Sequence, residues 1–154
     1  MAIQKISRPN VFSKVSEISS SNTYKAAGNV ESQTSACVSE LMNAATSFHK
    51  IHLKVTGVGS YAAHKALNDL YDALPDHADD LAEGFQGASE KLLEYEESAP
   101  KILNSVEDSL SYIRELLQMV NSLQNIIPYS EIVNELDNVK STLNSAKYKL
   151  KFLK

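Results

Sequence analysis

Apolar residues recur at spacings of three and four residues from Ser32 to the end of the chain, which is the period of an α-helix. This pattern predicts four long amphipathic helices and no strand. The helices are expected to begin at Ser32, Tyr61, Ala99 and Ser130, and the first two to end near Val55 and Glu83. Four such helices favour an all-α four-helix bundle over residues 31–154.

Turn-forming residues punctuate this pattern. The segment Thr56–Ser60 contains two glycines and is expected to end the first helix. Ser60 and Ser130 are expected to act as N-caps, because a serine hydroxyl can accept a hydrogen bond from a free N–H of the first turn. Pro75 lies inside the second helix and predicts a kink or a restart there, since proline lacks the backbone donor.

The link between the second and third helices decides the topology. Gly84 and Gly87 weaken the helical pattern, and Ala88–Glu97 predicts a further short helical piece. If the second helix ends near Glu83, residues 84–98 can extend over roughly 50 Å, more than the roughly 35 Å length of that helix. The chain can therefore adopt a ferritin-like arrangement, with the second and third helices parallel, as well as an up-down-up-down bundle.

Residues 1–30 lack sustained helical periodicity and are rich in serine and asparagine. They predict an extended, flexible arm, with one short helical turn around Val11–Ile18. The arm is basic, and its four cationic side chains are candidate contacts to DNA or to a protein partner: Lys5, Arg8, Lys14 and Lys25.

Composition narrows the setting of the protein. A chain of 154 residues is long enough for one domain with a sizeable core. No run of 18 apolar residues occurs, so no membrane span is expected. A single cysteine, Cys37, cannot form an internal disulfide and is expected to be a small buried hydrophobe in a reducing, cytoplasmic protein.

The net charge of −4 conceals an acidic body with basic ends. Residues 138–154 carry five lysines and no acidic residue. Lysines in the last turns of a helix complement the helix dipole, which is the expected role of these five. A basic end can also attract polyanions, and an acidic body can attract cations.

A polar stripe along the second helix is the best candidate site. At about 100° per residue, its members share one face of the helix: His64, Asn68, Asp72, Asp79 and Glu83. Imidazole and carboxylate ligands without a thiolate suit iron, manganese or zinc. The alternative is a solvated acidic face, which is the ordinary role of charged helical stripes.

The segment that begins at His52 resembles the signature of the Dps family, the DNA-protecting mini-ferritins of starved bacteria. In that family a His is followed at fixed spacings by a second His, an Asp, a further Asp and a Glu. Those positions are occupied here by His52, His64, Asn68, Asp79 and Glu83, and the glycine after the first His is Gly57. The resemblance covers residues 52–83 closely and the other helices loosely.

The resemblance implies a dimer as the unit, a dodecameric shell, and di-iron sites at two-fold interfaces where iron(II) is oxidised and stored as mineral. It assigns the two histidines and the first acid to one subunit, and Asp79 and Glu83 to its neighbour. Asn68 stands where the family has a carboxylate. An amide is a weaker ligand, so lower iron affinity is expected unless Asp72 or Asp69 substitutes.

Three functions follow from these patterns. The first is a Dps-like protein that binds, oxidises and stores iron. The second is a non-catalytic ferritin-like bundle with a structural or particle-assembly role, whose arm docks on a partner. The third is a DNA-compacting protein without iron chemistry. Metal content separates the first from the second, and salt-dependent DNA binding tests the third.

Overall fold

The structure is a computed structural model that describes the backbone of residues 11–153 and the side chains of residues 30–153. Its four helices are α1 (Val11–His52), α2 (Ser60–Ser89), α3 (Val106–Gln124) and α4 (Ser130–Phe152). No strand occurs between residues 11 and 153. The prediction of an all-α four-helix bundle is confirmed.

The helices form a ring in which α1 contacts α2 and α3, and α4 contacts the same two helices. The link 90–105 runs over the outer face of α1 from its middle to its C-terminal end. Near the start of this link Lys91 pairs with Glu31 at 2.5 Å, and further along the Asn43 amide donates to Ser98 Oγ at 2.7 Å. Because the link crosses the length of the bundle, α2 and α3 run in the same direction, with one crossover.

The crossover is extended rather than helical, which corrects the helical piece expected over Ala88–Glu97. Helix α2 continues through Gly84 and Gly87 to Ser89, and Glu90 ends it in the left-handed conformation with φ of 56°. Beyond that point Leu93 is buried, and its N–H donates to Gln86 Oε1 at 2.9 Å. The start of the crossover is therefore held by a buried side chain and a hydrogen bond to a side chain, in place of helical hydrogen bonds.

Helix α3 begins at Val106, later than the sequence pattern suggests. Ser105 is the N-cap and its hydroxyl accepts from the Asp108 N–H at 3.0 Å. Asp108 Oδ2 in turn accepts from the Asn104 N–H at 2.8 Å. This reciprocal pair satisfies two donors at the helix start, which favours Ser105 over the earlier proline as the boundary.

The expected N-caps of α2 and α4 are wrong by one residue. Gly59, with φ of 78°, caps α2, and Tyr129 caps α4, and neither makes a side-chain cap hydrogen bond. Pro75 lies inside a continuous α2 and is exposed. No restart occurs there, because an exposed turn leaves the released carbonyl accessible to water.

Helix α1 begins at Val11, well before the expected start at Ser32. No proline lies between Val11 and His52 to stop the helix from extending backwards. The basic arm that the sequence predicts falls on residues whose side chains lie outside the described part of the structure. The proposed roles of Lys5, Arg8, Lys14 and Lys25 therefore stay predictions.

The core lies along the bundle axis, and all four helices contribute to it. Cys37 is fully buried within it, as expected, and burial raises the pKa of its thiol to about 12. At neutral pH the thiol is therefore protonated and unreactive. In the part of the chain that the structure describes, no helix is long and apolar enough to cross a membrane.

Candidate metal centre

Two histidines meet where α1 ends and α2 begins. His52 is the last residue of α1 and His64 lies in the first turns of α2, and their ring centroids are 4.6 Å apart. The turn between them contains Gly57 and Gly59, both with positive φ. Glycine adopts positive φ without a steric penalty, so these two residues suit the short turn that brings α2 back against α1.

The hydrogen bonds of these two rings define their chemistry. His52 Nδ1 lies 2.6 Å from the His49 carbonyl oxygen, and His64 Nδ1 lies 3.0 Å from the His52 carbonyl oxygen. A carbonyl oxygen can only accept, so each Nδ1 must carry its proton. In the neutral rings the lone pair is therefore on Nε2, which has no hydrogen-bond partner among the described residues. This arrangement is the one that orients histidines as metal ligands.

Aromatic rings enclose the histidine pair. Tyr71 on α2 stacks on His49 with centroids 4.1 Å apart and an interplanar angle of 6°, and its centroid lies 4.9 Å from that of His52. His52 is 6% exposed. We call His49, His52, His64 and Tyr71 the histidine cluster. Its rings restrict the rotation of His52 and shield it from water.

Asn68 borders the histidine cluster, and both the oxygen and the nitrogen of its side-chain amide are hydrogen-bonded. Its Oδ1 accepts from the Tyr71 hydroxyl at 3.0 Å, and its Nδ2 donates to Asp72 Oδ2 at 2.8 Å. Asp72 is therefore joined to the cluster through Asn68. One lone pair of the amide oxygen is still available, since a carbonyl oxygen accepts two hydrogen bonds.

Asp69 is not placed to substitute for Asn68. Its carboxylate pairs with Lys149 of α4 at 2.9 Å, on a different face of α2 from the histidine cluster. One residue along a helix is a rotation of about 100°, which is enough to move the side chain from the α1 side to the α4 side. Of the two suggested substitutes, only Asp72 shares the face of His64.

Asp79 and Glu83 lie further along the same stripe of α2 and are exposed. They follow His64 by about 22 Å and about 28 Å along the helix, at 1.5 Å per residue. One chain therefore does not bring them to the histidine pair. Consistently, no group of three or more His, Cys, Asp or Glu side chains in residues 30–153 is arranged to hold a metal ion.

The fourth histidine occupies a different environment. His77 lies between α2 and α4, where Nδ1 is 3.1 Å from Glu135 Oε1 and Nε2 is 2.8 Å from Thr142 Oγ1. Both ring nitrogens are therefore used within the chain. His77 joins two helices and has no nitrogen left for an external ligand.

Sequence reasoning did not include His49 and Tyr71 in the site. The signal for them was present as spacing: His49 precedes His52 by one helical turn, and Tyr71 follows Asn68 by one turn. Their pairing across α1 and α2 depends on the packing of the two helices, which spacing alone does not specify.

These features define a class of protein: an all-α four-helix bundle with one crossover and a histidine cluster where its first two helices meet. Residues 52–150 match DUF5856, described as a family of unknown function, and the chain belongs to this family. An uncharacterised 14.6 kDa protein from the mobD-ri intergenic region of Enterobacteria phage T4 is 30% identical over 110 residues. That match spans 71% of this chain and 81% of the phage protein. No solved structure matches the chain.

Proposed function

We propose that the protein binds iron(II) at a centre formed between two copies of the chain, and oxidises and stores it in the manner of a Dps-like mini-ferritin. One observation carries the proposal: both His52 and His64 donate from Nδ1 to a backbone carbonyl, and Nε2 of each ring has no hydrogen-bond partner among residues 30–153. Two fixed imidazole rings whose centroids lie 4.6 Å apart are suited to one metal ion or a close pair.

The missing ligands are supplied by a second copy. In an antiparallel pairing of two α2 helices, one two-fold axis that crosses between Ala73 and Leu74 sets His64 opposite Glu83. The same axis sets Asn68 opposite Asp79. A single register therefore serves both pairs, and every partner lies on the stripe that α2 presents outside its buried face.

The donor set fits iron(II). Two imidazole nitrogens, two carboxylates and one amide oxygen form a mixed nitrogen and oxygen environment of intermediate softness, which iron(II), manganese(II) and zinc(II) all accept. Iron is the substrate here. Two iron(II) ions each lose one electron, and dioxygen takes up both electrons and two protons to form hydrogen peroxide.

Residues of the chain have separate roles in this scheme. His52 and His64 bind the metal, and the carbonyls of His49 and His52 hold their rings. Tyr71 fixes Asn68 by its hydroxyl and shields His52 by its ring. Since Asn68 is neutral, we expect weaker binding of iron(II) than a carboxylate at that position would give.

The test is iron(II) oxidation in air, followed by near-ultraviolet absorbance. We expect the wild-type protein to exceed buffer, and His52→Ala and Glu83→Ala each to abolish the excess. The two inactive variants, refolded together, should regain about a quarter of the wild-type rate, because half of the dimers are mixed and each mixed dimer holds one intact site. Asp80→Ala, an exposed acid off the stripe, is the matched control and should keep full activity.

Two results would separate the alternatives. A wild-type rate equal to buffer would overturn the ferroxidase and favour the non-catalytic, structural bundle. A wild-type rate above buffer with no recovery in demonstrated mixed dimers would instead overturn the shared site while leaving iron oxidation in place.

A further inference from the structure

The last two turns of α4 expose a pair of aromatic rings. Tyr148 and Phe152 are 56% and 63% exposed, and their ring centroids are 5.7 Å apart. They lie one helical turn apart on the face opposite the buried residues Leu143, Ala146 and Leu150. Neither ring belongs to the core, so their exposure is not explained by the stability of the bundle.

Lysines flank this aromatic pair on both sides. At about 100° per residue, Lys147 and Lys151 lie on one flank and Lys149 on the other. Lys151 Nζ is 5.2 Å from the Phe152 ring centroid. Among the described residues, no carboxylate pairs with Lys147 or Lys151, whereas Lys149 pairs with Asp69.

The charge of the molecule is polarised around this surface. Residues 76–97, towards the other end of the bundle, carry eight carboxylates and one lysine. A polyanion is therefore repelled by that region and attracted to the C-terminal end of α4. Polarity of this kind favours one orientation of the protein on an anionic partner.

We propose that the α4 end, defined as Lys147, Tyr148, Lys149, Lys151 and Phe152, binds single-stranded nucleic acid, a function separate from iron binding. Adjacent lysines contact phosphates, and the two rings stack on unpaired bases. Base stacking on aromatic side chains beside a basic track is the general mode of single-strand binding without sequence preference.

Two other anionic partners fit the same surface less well. Duplex DNA keeps its bases stacked inside the helix, so the exposed rings would gain nothing from it. A membrane needs a continuous apolar helix face, but the outer face of α4 one turn earlier is polar, with Ser141, Asn144 and Ser145.

The experiment is fluorescence anisotropy of a labelled oligothymidylate of about 20 nucleotides, titrated with the full-length protein at several salt concentrations. We expect Tyr148→Ala/Phe152→Ala to weaken binding about tenfold or more, without changing the salt dependence. Lys147→Gln/Lys151→Gln should make the negative slope of log affinity against log salt shallower by about 1.4, since two phosphate contacts are lost. Lys91→Gln/Lys140→Gln, with the same net change of charge elsewhere, should leave the slope unchanged.

Three outcomes would overturn the proposal. The first is an aromatic double variant that binds the oligothymidylate as tightly as wild type. The second is equal affinity for a duplex of the same length. The third is binding to phosphatidylserine vesicles that depends on the two rings, with no binding to the oligothymidylate. Circular dichroism of each variant establishes that the exposed substitutions leave the helices intact.

Discussion

Two histidine environments lie on the two flanks of α2, and they use the imidazole differently. On the α1 side, His52 and His64 each bind a backbone carbonyl through Nδ1, and their Nε2 atoms have no partner in the part of the chain whose side chains the structure describes. On the α4 side, both nitrogens of His77 are bonded, to Glu135 and Thr142. Within the described residues, the hydrogen bonding of the first environment is incomplete and that of the second is complete.

This difference in hydrogen bonding separates the two proposed metal ligands, His52 and His64, from His77, which makes a structural contact. A half-buried histidine whose two nitrogens are satisfied joins the elements that it touches, and its loss should affect stability. A histidine that is held through one ring nitrogen is oriented, and its other nitrogen is still available to a metal ion. Its loss should therefore affect metal binding. Composition cannot make this distinction, because both flanks contain the same residue type.

The largest expected effect is on metal affinity. His64→Ala should lower the affinity for iron(II) roughly 100-fold or more, since loss of even an outer partner of a ligand costs about 10–100-fold. His77→Ala should leave the affinity unchanged. Anaerobic calorimetry with iron(II) measures both, and equal losses in the two variants would remove the distinction between the two flanks.

The second effect is on stability, and here His77→Ala should have the larger effect of the two variants. His77→Ala should lower the free energy of unfolding by about 1–3 kcal/mol, because Glu135 and Thr142 both lose a half-buried hydrogen-bond partner. His64→Ala should cost less, about 1 kcal/mol, because it removes a single neutral hydrogen bond, the one to the His52 carbonyl oxygen. Urea unfolding at one fixed protein concentration compares them. A larger loss for His64→Ala would contradict this assignment.

The third prediction concerns Asn68, the neutral side chain among the proposed ligands. Asn68→Asp should tighten iron(II) binding about tenfold, a gain of about 1.4 kcal/mol, because an anionic oxygen replaces an amide. The matched control is the exchange Asn68→Asp/Asp72→Asn, which restores the net charge and the hydrogen bond between positions 68 and 72. Calorimetry should give the same gain for the exchange, and no gain in either variant would exclude position 68 as a ligand.

The smallest effect tests how closely α2 packs against α4. Gly87→Ala should stabilise the fold by about 0.5–1 kcal/mol, since a Cβ there meets nothing within 4 Å and alanine favours the helix. Gly84→Ala should give no such gain, because its Cβ would lie 2.9 Å from Ile132 Cδ1. Thermal unfolding compares the two variants, and equal stabilisation would show that the α2–α4 contact is looser than described.

Much of the fold followed from local patterns. The three- and four-residue spacing predicted four helices, and the glycines of the first turn were correctly placed between α1 and α2. Helix ends were less accurate. Ser105, rather than a residue at 99–100, is the N-cap of α3, because its hydroxyl and the Asp108 carboxylate each accept a backbone N–H at that helix start. The crossover is extended because Leu93 is buried against the bundle.

The candidate site was predictable in its residues and not in its contacts. The stripe with His64, Asn68 and Asp72 is a consequence of helical spacing alone. The pairing of Asp69 with Lys149 is not, because it depends on which helix packs beside α2. The same applies to the stacking of His49 on Tyr71.

The sequence by itself determined the helical class, the polar stripe of α2 and the spacing of His52 and His64 along the chain, because periodicity and spacing are local properties. Only the tertiary structure decided which nitrogen of each histidine is hydrogen-bonded. Among the described residues both nitrogens of His77 have partners, whereas His52 and His64 use only Nδ1. Hydrogen-bond partners of this kind come from residues distant in sequence or from the exact geometry of a turn. They depend on the packing of helices, which no local pattern specifies.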